Sequence, residues 1–471
     1  MDRARRTLAV AAVGTFMATL DSSIVNISLP VIAADLGAGL EATQWVQIAY
    51  SLGVTALLLV AGRMADLVGR RRVYVAGLVA FTAASVACGA APDIASLIAG
   101  RGAQAVGAAM IMANGPALVA QAFEPGRRGR ALAVVAVTVS IGLTLGSSAG
   151  GFLTSLFGWR SIFFVNLPIG LGGAWFGWRV LGETADERPA SSASRHGFDW
   201  PGALASAVGL GLMLLAVSRG AEWGWGSVPT AGCLAAAGAS LAAFLRHEAR
   251  TANPLLPLDL FRNRTFRTAN AASLLTFTAT VALTFLVPFY LVTIMGRSPA
   301  EAGLIYLAAP LSLSLLAPVG GRLADRAGTR GPTVAGLALV VAGLLLVAEL
   351  GAAATAWDVV WRLVVVGAGQ GLFQTPNNTA LLSSAPMARL GIASGLQAVM
   401  RNLGLALGVA IAGALLAAAG ASLHDVSFLR GFRLALRVSA GLAAVALVLC
   451  AKRDGRQPAL QSGLSRGVDG A

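Results

Sequence analysis

The chain has 471 residues, of which 56% are hydrophobic and only 12% are charged, and its mean hydropathy is +0.74. A soluble protein of this composition would expose a very large apolar surface, so a soluble globular fold is excluded. The net charge of +14 at neutral pH would suit a nucleic-acid-binding protein, but the distribution of the basic residues favours another explanation.

Apolar segments of about 20 residues, each long enough to cross a ~30 Å hydrocarbon core, follow one another along nearly the whole chain. Arginine clusters and Gly/Pro breaks separate them. The first apolar run exceeds the apolar part of a signal peptide, so we expect it to be retained as a helix. In chain order the sequence predicts fourteen spans, at 8–34, 44–64, 73–91, 95–119, 131–154, 160–181, 201–218, 228–246, 267–293, 300–319, 332–351, 358–382, 390–419 and 433–451.

Basic residues are concentrated in every second loop, as in Arg70–Arg72, Arg127–Arg130 and Lys452–Arg456. The intervening loops hold few, such as Arg160 and Arg297. This asymmetry follows the positive-inside rule and predicts that both termini are cytoplasmic. The basicity is then a topological signal, so we do not expect nucleic acid as a partner.

One sequence pattern occurs once in each half of the chain. Gly62–Arg72 reads GRMADLVGRRR, and Gly321–Gly331 reads GRLADRAGTRG. Each copy lies between two apolar segments, and such a duplication is typical of transporters built from two related helical bundles. We therefore predict a first six-helix bundle, linkers with an inserted helix pair, a second six-helix bundle and a tail, at 1–181, 182–265, 266–451 and 452–471.

The repeated loops are candidates for a conformational latch. Gly69 and Gly328 permit tight turns, and Asp66 and Asp325 can cap or form ion pairs at a helix end. The alternative is that the arginines of these loops only fix topology. The predicted latch residues are Gly62, Arg63, Asp66, Gly69, Arg70, Arg322, Asp325 and Gly328.

Asp21 is the strongest candidate for chemistry. It lies roughly 20 Å along the first span at ~1.5 Å per residue, near the middle of the membrane. A carboxylate there costs at least ~2.5–3.5 kcal/mol, and such residues normally face a cavity and move ions or protons. We expect Asp21 to be a proton-coupling site, with a structural hydrogen-bonded carboxylate as the alternative. The equivalent position in the second half is Thr280, so the acid is not duplicated.

Arg101, near the start of the fourth span, is a second charge expected inside the membrane. Because an unpaired guanidinium is improbable there, it should meet a carboxylate, helix-end carbonyls or water. Pairing with Asp21 would then influence proton binding. The alternative is an arginine at the outer mouth that extends to the interface. Arg401, within the thirteenth span, is a further charge expected inside the membrane.

Glycines recur every fourth residue in two spans, as Gly142, Gly146 and Gly150 in the fifth and Gly404 and Gly408 in the thirteenth. Small residues at this spacing let helix backbones approach closely. We expect these glycines to pack helices, either as the contact across which the two bundles rock or as an ordinary packing seam.

Other classes of chemistry have no candidate site in the sequence. No segment fits the G-x-x-x-x-G-K-[ST] nucleotide loop. His196, His247 and His424 have no accompanying nucleophile or metal-ligand cluster in the sequence. We therefore expect no enzyme activity, no cofactor and no metal.

Several segments together resemble the fourteen-helix drug:proton antiporters of the major facilitator superfamily. Leu20–Pro30 (LDSSIVNISLP) resembles the first-helix motif of that group, whose aspartate is the implied proton site. Gly62–Arg72 is similar to the superfamily loop between helices two and three, and the segment around Arg101 to its fourth-helix motif. Gly158–Gly170 resembles the entry to the sixth helix, and Asn253–Arg262 the stretch before the seventh core helix.

The resemblance implies an all-α integral membrane protein with the major facilitator fold, two six-helix bundles plus two inserted helices. One position departs from it, because the fifth-helix motif usually reads Gly-Pro and here reads Gly146-Ser147. The missing proline removes a kink but keeps the glycine face. It leaves open whether antiport is altered.

We expect a monomeric multi-pass protein of the cell membrane that exports small amphipathic compounds in exchange for protons, by alternating access, with lipid around it. Beyond Asp21 no acid is expected at mid-membrane, so neutral or monocationic compounds fit better than dications. Proton-coupled uptake, flipping of a lipid-like substrate, a membrane-embedded transferase and a sensor are the alternatives. The predicted cavity residues are Asn26, Asn114, Phe277, Tyr290, Gln374 and Asn377.

Overall fold

The computed structural model describes residues 3–123, 125–181, 199–251, 258–386, 390–420 and 427–453. Regular structure in these residues is entirely helical. A 3₁₀ turn at Leu258–Arg262 precedes α10, and a π-helical turn at Tyr290–Ile294 continues it. The α-helices are α1 Arg3–Asp35, α2 Leu40–Val68, α3 Arg70–Gly89, α4 Ile94–Ala122, α5 Pro125–Phe157, α6 Ser161–Phe164, α7 Asn166–Val180, α8 Trp200–Trp223, α9 Val228–Glu248, α10 Arg264–Phe289, α11 Pro299–Tyr306, α12 Ala308–Ala327, α13 Arg330–Ala348, α14 Ala356–Ser383, α15 Leu390–Ala418 and α16 Ser427–Ala451.

Eleven segments in the described residues are long and apolar enough to cross a membrane. α2, α5 and α14 have 29, 33 and 28 residues but are not among the eleven. Each of the fourteen predicted spans coincides with a helix or a pair of helices. Two spans are interrupted, at Val165 between α6 and α7 and at Leu307 between α11 and α12. The all-helical membrane class is confirmed, and the count of fourteen stays a prediction.

The packing of helices α1–α7 is repeated by α10–α16. In the first set α1 packs on α5, α2 on α4 and α3 on α4. In the second set α10 packs on α15, α12 on α14 and α13 on α14. We call these sets the first and second bundles. The duplication seen in the sequence is therefore also present in the helix contacts.

The predicted inserted pair is α8 and α9, which pack on each other. α8 also contacts α2 of the first bundle and α15 of the second, so it touches both halves. Asp199 caps α8 by accepting a hydrogen bond from the backbone of Gly202 at 2.9 Å, and it also lies 2.6 Å from Nε2 of His247. Residues 182–198 of the predicted linker region and residues 454–471 of the predicted tail lie outside the described residues.

Hydrogen bonds group the interhelical loops at two ends of the molecule. At one end Arg160 donates to Asp35 and to the carbonyl of Ala91, at 2.9 and 3.2 Å, and Tyr290 donates to the carbonyl of Gly351 at 2.7 Å. We call this the far end. The sequence predicts that it faces outward.

The opposite end, which we call the near end, carries both repeated loops. Arg71 donates to the carbonyl of Trp178 at 2.6 Å, and Arg264 donates to the carbonyl of Lys452 at 3.1 Å. Arg453 is buried there and donates to the hydroxyl of Thr329 at 3.0 Å. These bonds tie α7 to the start of α3 in the first bundle, and the end of α16 to α10 and to the repeated loop in the second.

The two bundles share one apolar core toward the far end. It contains Ile27, Ile32 and Trp159 of the first bundle together with Phe285 and Leu416 of the second. The amide of Ala300 also donates to the hydroxyl of Ser155 at 3.0 Å, which links α11 to α5. Burial of this shared apolar surface holds the bundles together at the far end.

Apolar clusters toward the near end belong mainly to one bundle each. Leu260 and Phe266 anchor a cluster of the second bundle, and Ala11 and Val119 one of the first. Another cluster of first-bundle residues is joined by three consecutive residues of α15, Ala398, Val399 and Met400. The contact between the bundles is therefore more extensive at the far end than at the near end.

Candidate functional site

A buried ion pair between α1 and α4 lies in the interior of the first bundle. Asp21 and Arg101 both have side chains that are 0% exposed, and Arg101 Nη1 lies 2.5 Å from Asp21 Oδ2. α1 is apolar on nearly all faces, as expected for a helix surrounded by others, and it is buried along most of its length. The expected meeting of Arg101 with a carboxylate is therefore found.

The second oxygen of Asp21 is held by two amides. Oδ1 accepts hydrogen bonds from Nε2 of Gln104 and from Nδ2 of Asn166, each at 2.9 Å. Gln104 lies one turn after Arg101 on α4, and its Oε1 accepts from Arg101 Nη1 at 2.6 Å. All described side-chain partners of the carboxylate are thus hydrogen-bond donors, an arrangement that suits its ionised form.

Ser85 of α3 completes this network. Its hydroxyl oxygen accepts from Asn166 at 2.9 Å and from Gln104 at 3.2 Å, and the hydroxyl donates to the carbonyl of Phe163 at 2.9 Å. The network therefore joins α1, α3, α4, α6 and α7. A change at the carboxylate can reach several helices through direct hydrogen bonds.

The guanidinium of Arg101 is also bound to α2. Its Nε donates to the carbonyl of Val46 at 3.2 Å, and its Cζ lies 4.1 Å above the ring of Tyr50, a cation–π contact. Within the described residues, Nη2 has no hydrogen-bond partner. Arg101 is therefore held on three sides, with the two N–H donors of Nη2 still available among the described contacts.

Sequence reasoning did not assign Gln104, Asn166, Ser85 or Tyr50 to the site. The available signal was a polar or hydroxyl-bearing side chain inside an apolar span, which is common in helix packing and does not reveal its partner. The corresponding place in the second bundle is different, because Thr280 donates to its own helix at the carbonyl of Thr276. Within the part of the chain that the structure describes, the second bundle has no counterpart of this site.

Four of the predicted cavity residues have side chains that make no hydrogen bond to another helix among the described residues. Asn26 and Asn114 are buried and donate to carbonyls four residues earlier, at 2.9 and 2.8 Å. Phe277 of α10 and Gln374 of α14 are half-buried. These side chains are compatible with the lining of a central space, and that role stays a prediction.

The other two predicted cavity residues are fully buried in helix junctions. Tyr290 bonds to Gly351 at the far end, and its ring stacks on Phe432 with centroids 5.2 Å apart. Asn377 donates to Ala269 and Ser273 and accepts from Arg453 at 3.4 Å. These contacts place both residues in packed junctions instead of on a cavity surface.

The glycine patterns pack helices inside each bundle. A Cβ atom added at Gly146 or Gly150 would come within 3 Å of α1, and one at Gly142 would overlap Thr19 of the same helix. Gly404 and Gly408 approach α10 in the same way, near Phe277 and Thr278. The expectation that these glycines form the contact between the rocking halves is wrong, because both seams lie within a bundle.

The repeated loops contain two tight turns. Gly69 and Gly328 have φ angles of 106° and 79°, which favour glycine, and each ends a helix. Gly62 lies within α2, and Arg70 begins α3 half-buried. Arg322 and Asp325 are exposed and make no ion pair with any residue that the structure describes. The side chains of Arg63 and Asp66 lie outside the described set, so the latch stays a prediction.

A family model decides the classification. The model of the Major Facilitator Superfamily matches residues 11–409. The chain belongs to this superfamily. Members of the superfamily are carriers and not enzymes, and the many apolar helices agree with a multi-pass protein of the cell membrane.

Relatives of this superfamily protein include drug exporters. It is 37% identical over 413 residues to the multidrug resistance protein Stp of Mycobacterium tuberculosis, covering 88% of this chain and 76% of the relative. It is 35% identical to the riboflavin transporter RibZ of Clostridioides difficile, covering 86% of each. It is 32% identical to the tetracenomycin C resistance and export protein of Streptomyces glaucescens, covering 87% and 76%.

A solved structure supports the fold. A bacterial homologue of the human lysosomal transporter Spinster matches with a TM-score of 0.66 and 14% identity, covering 95% of this chain and 96% of that one. At this identity the match shows the major facilitator fold alone.

Proposed function

We propose that this major facilitator protein is a proton-coupled exporter of small amphipathic compounds. The observation that carries the proposal is the buried pair of Asp21 and Arg101 inside an apolar bundle. Ionisable groups at this depth are costly and are associated with ion and proton movement. The similarity to multidrug and antibiotic export proteins supports export as the direction.

In the proposed cycle, protonation of Asp21 removes the charge that holds Arg101, Gln104 and Asn166. Breaking a buried ion pair costs about 3–5 kcal/mol, so the protonated carboxyl favours a conformation in which Arg101 finds other partners. One pH unit supplies about 1.4 kcal/mol per proton, and 100 mV supplies ~2.3 kcal/mol per charge. A proton gradient and a membrane potential together are therefore of the right size to drive this exchange.

Alternating access would use the two bundles as rigid bodies. The close glycine contacts of α5 with α1 and of α15 with α10 make each bundle a compact unit. The shared apolar core at the far end is the contact that has to open when access changes sides. We infer that the conformation described here is closed at the far end, as an exporter is when it loads substrate from the cytoplasm.

The charge of the interior favours particular substrates. Arg401 is half-buried within α15 and makes no ion pair with any described residue, while Asp21 is already neutralised by Arg101. Arg401 therefore brings a positive charge into the described interior that no described acid pairs. We propose that neutral or anionic amphipathic compounds are the preferred substrates, in place of the neutral or monocationic ones expected from the sequence.

Transport in proteoliposomes tests this proposal. With an imposed pH gradient, wild-type protein should move a fluorescent amphipathic probe against its concentration gradient, and Asp21→Asn should abolish this coupled movement. Asp35→Asn is the matched control, because Asp35 belongs to the same helix but forms an exposed ion pair with Arg160 at the far end. Pumping by Asp21→Asn at the wild-type rate would show that Asp21 does not carry the proton.

Proton-coupled uptake is a second candidate, because one relative is a riboflavin transporter. Transport measurements in vesicles with a known orientation of the protein distinguish export from uptake. Export predicts that substrate accumulates on the acidic side in exchange for protons, whereas uptake by symport predicts that substrate and protons leave the acidic side together. Riboflavin belongs among the probes for both orientations.

A further inference from the structure

A basic pocket lies on the far-end part of α16. Its volume is about 790 Å³, and its lining includes three arginines, Arg430, Arg433 and Arg437. The rest of the lining is Ser427, Ala419, Leu429 and Leu434. Sequence reasoning overlooked these arginines, because it began the last span at 433 and did not count them among the loop charges.

The three arginines share one face of the helix. Positions i, i+3 and i+7 are neighbours on a helix surface, and seven residues at ~1.5 Å each spread the three side chains over roughly 10 Å. Arg430 and Arg437 are exposed, and Arg433 is half-buried. An anion placed in the pocket can therefore reach more than one guanidinium at a time.

Described partners compensate only part of this charge. Arg437 Nη2 lies 2.9 Å from Oε1 of Glu349, and this hydrogen bond lowers the pKa of Glu349. Arg433 donates to the carbonyl of Leu350 at 3.4 Å, while its buried Nε has no partner in the described structure. Arg430 makes no ion pair with a described residue. Among these residues, three positive charges therefore face one negative charge.

The same face of α16 becomes apolar beyond the arginines. Val445 and Val448 are 51% and 47% exposed, and Gly441 before them is also exposed. Leu434, which lies between Arg433 and Arg437, is 41% exposed. In a membrane protein such an exposed apolar face contacts hydrocarbon chains. The helix therefore presents guanidinium groups at the level of the far membrane surface and an apolar track directly below them.

We propose that this pocket binds an anionic phospholipid of the far leaflet. The phosphate lies against Arg430, Arg433 and Arg437, and the acyl chains follow the apolar track. Arginine suits this role because its fork of donors matches phosphate oxygens. The sequence predicts that the far leaflet is the outer one, where basic residues are otherwise few. This site is independent of the proposed transport cycle.

Native mass spectrometry of the purified full-length protein tests the proposal. In micelles doped with equal amounts of phosphatidylglycerol and phosphatidylcholine, the protein should retain phosphatidylglycerol in preference to phosphatidylcholine. Arg430→Gln/Arg433→Gln should reduce that retention by about tenfold or more, since each basic residue near the surface contributes substantially to anionic-lipid attraction. Equal retention of both lipids, or unchanged retention in the variant, would overturn the proposal.

Matched variants separate the pocket from general charge effects. Arg297→Gln/Arg362→Gln removes the same charge from the far end outside the pocket and should keep the lipid preference. Arg430→Gln alone, at an exposed side chain without a described hydrogen bond, keeps the test possible when the double variant does not fold. Full displacement of the lipid by millimolar inorganic phosphate would show a site for a free anion and contradict the lipid assignment.

Discussion

Asn166 offers a sharp test of the proposal that the buried network controls proton binding at Asp21. In Asn166→Ala, Oδ1 of Asp21 loses one of its two amide donors, the one at 2.9 Å. A hydrogen bond to a charged group contributes about 1.5–3 kcal/mol. Because the lost bond favours the ionised carboxylate, the half-maximal pH of proton-driven transport should rise in the variant.

The assay is the initial rate of probe transport in proteoliposomes across a series of external pH values. Asn26→Ala is the matched control, because Asn26 is a buried amide on α1 that donates only to its own helix in the described contacts. It should lower stability without moving the pH profile. An unchanged profile for Asn166→Ala in a folded, active protein would refute the network as a determinant of proton binding.

Three further outcomes follow from the packing and the charges. Gly150→Val should lower the melting temperature or prevent folding, because overpacking against α1 costs about 1–3 kcal/mol. Gly172→Ala should leave the melting temperature unchanged, because a Cβ atom there meets open space. Asp66→Asn and Asp325→Asn should each shift the equilibrium between the inward-open and outward-open states by about 1–3 kcal/mol. This shift should change how readily cysteines placed in the cavity are labelled from each side of the membrane. Unchanged labelling in both variants would mean that these loops only fix the topology. Gln374→Glu would add a carboxylate to the predicted cavity and should selectively improve the export of rigid dications. Efficient export of a dication by the wild type would contradict the inference that the cavity has no acid free to bind one.

Much of the architecture could be predicted from sequence. Hydrophobic length identifies membrane helices, because the bilayer forces backbone groups to be satisfied within the helix. The duplicated Gly-Arg-x-Ala-Asp loop predicted two related bundles, and the packing of α2 on α4 and of α12 on α14 agrees with that prediction. The breaks at Val165 and Leu307 were not predicted, although Pro168 and Pro310 follow them by three residues. A proline cannot donate to the carbonyl four residues earlier, here Phe164 and Tyr306, which are the last residues of α6 and α11.

The site could be predicted only in part, for a physical reason. A buried charge is rare in a membrane helix, so Asp21 and Arg101 each stand out, and each needs the other. Uncharged polar residues are tolerated in many places, so Asn166 could be assigned only from its three-dimensional neighbours. Tyr290 shows the converse error, because a polar aromatic near a helix end looks like a cavity residue until its stacking partner is known.

The break at Val165 has a mechanical consequence. On one side of it Phe163 belongs to the apolar core that holds the bundles together, and on the other side Asn166 holds the carboxylate of Asp21. Less than one helical turn therefore separates the apolar core shared by the two bundles from the hydrogen bonds of the Asp21 carboxylate. In the proposed cycle, substitutions in this core that touch no polar atom are expected to change the pH dependence of transport, so selection for altered transport can act far from the carboxylate.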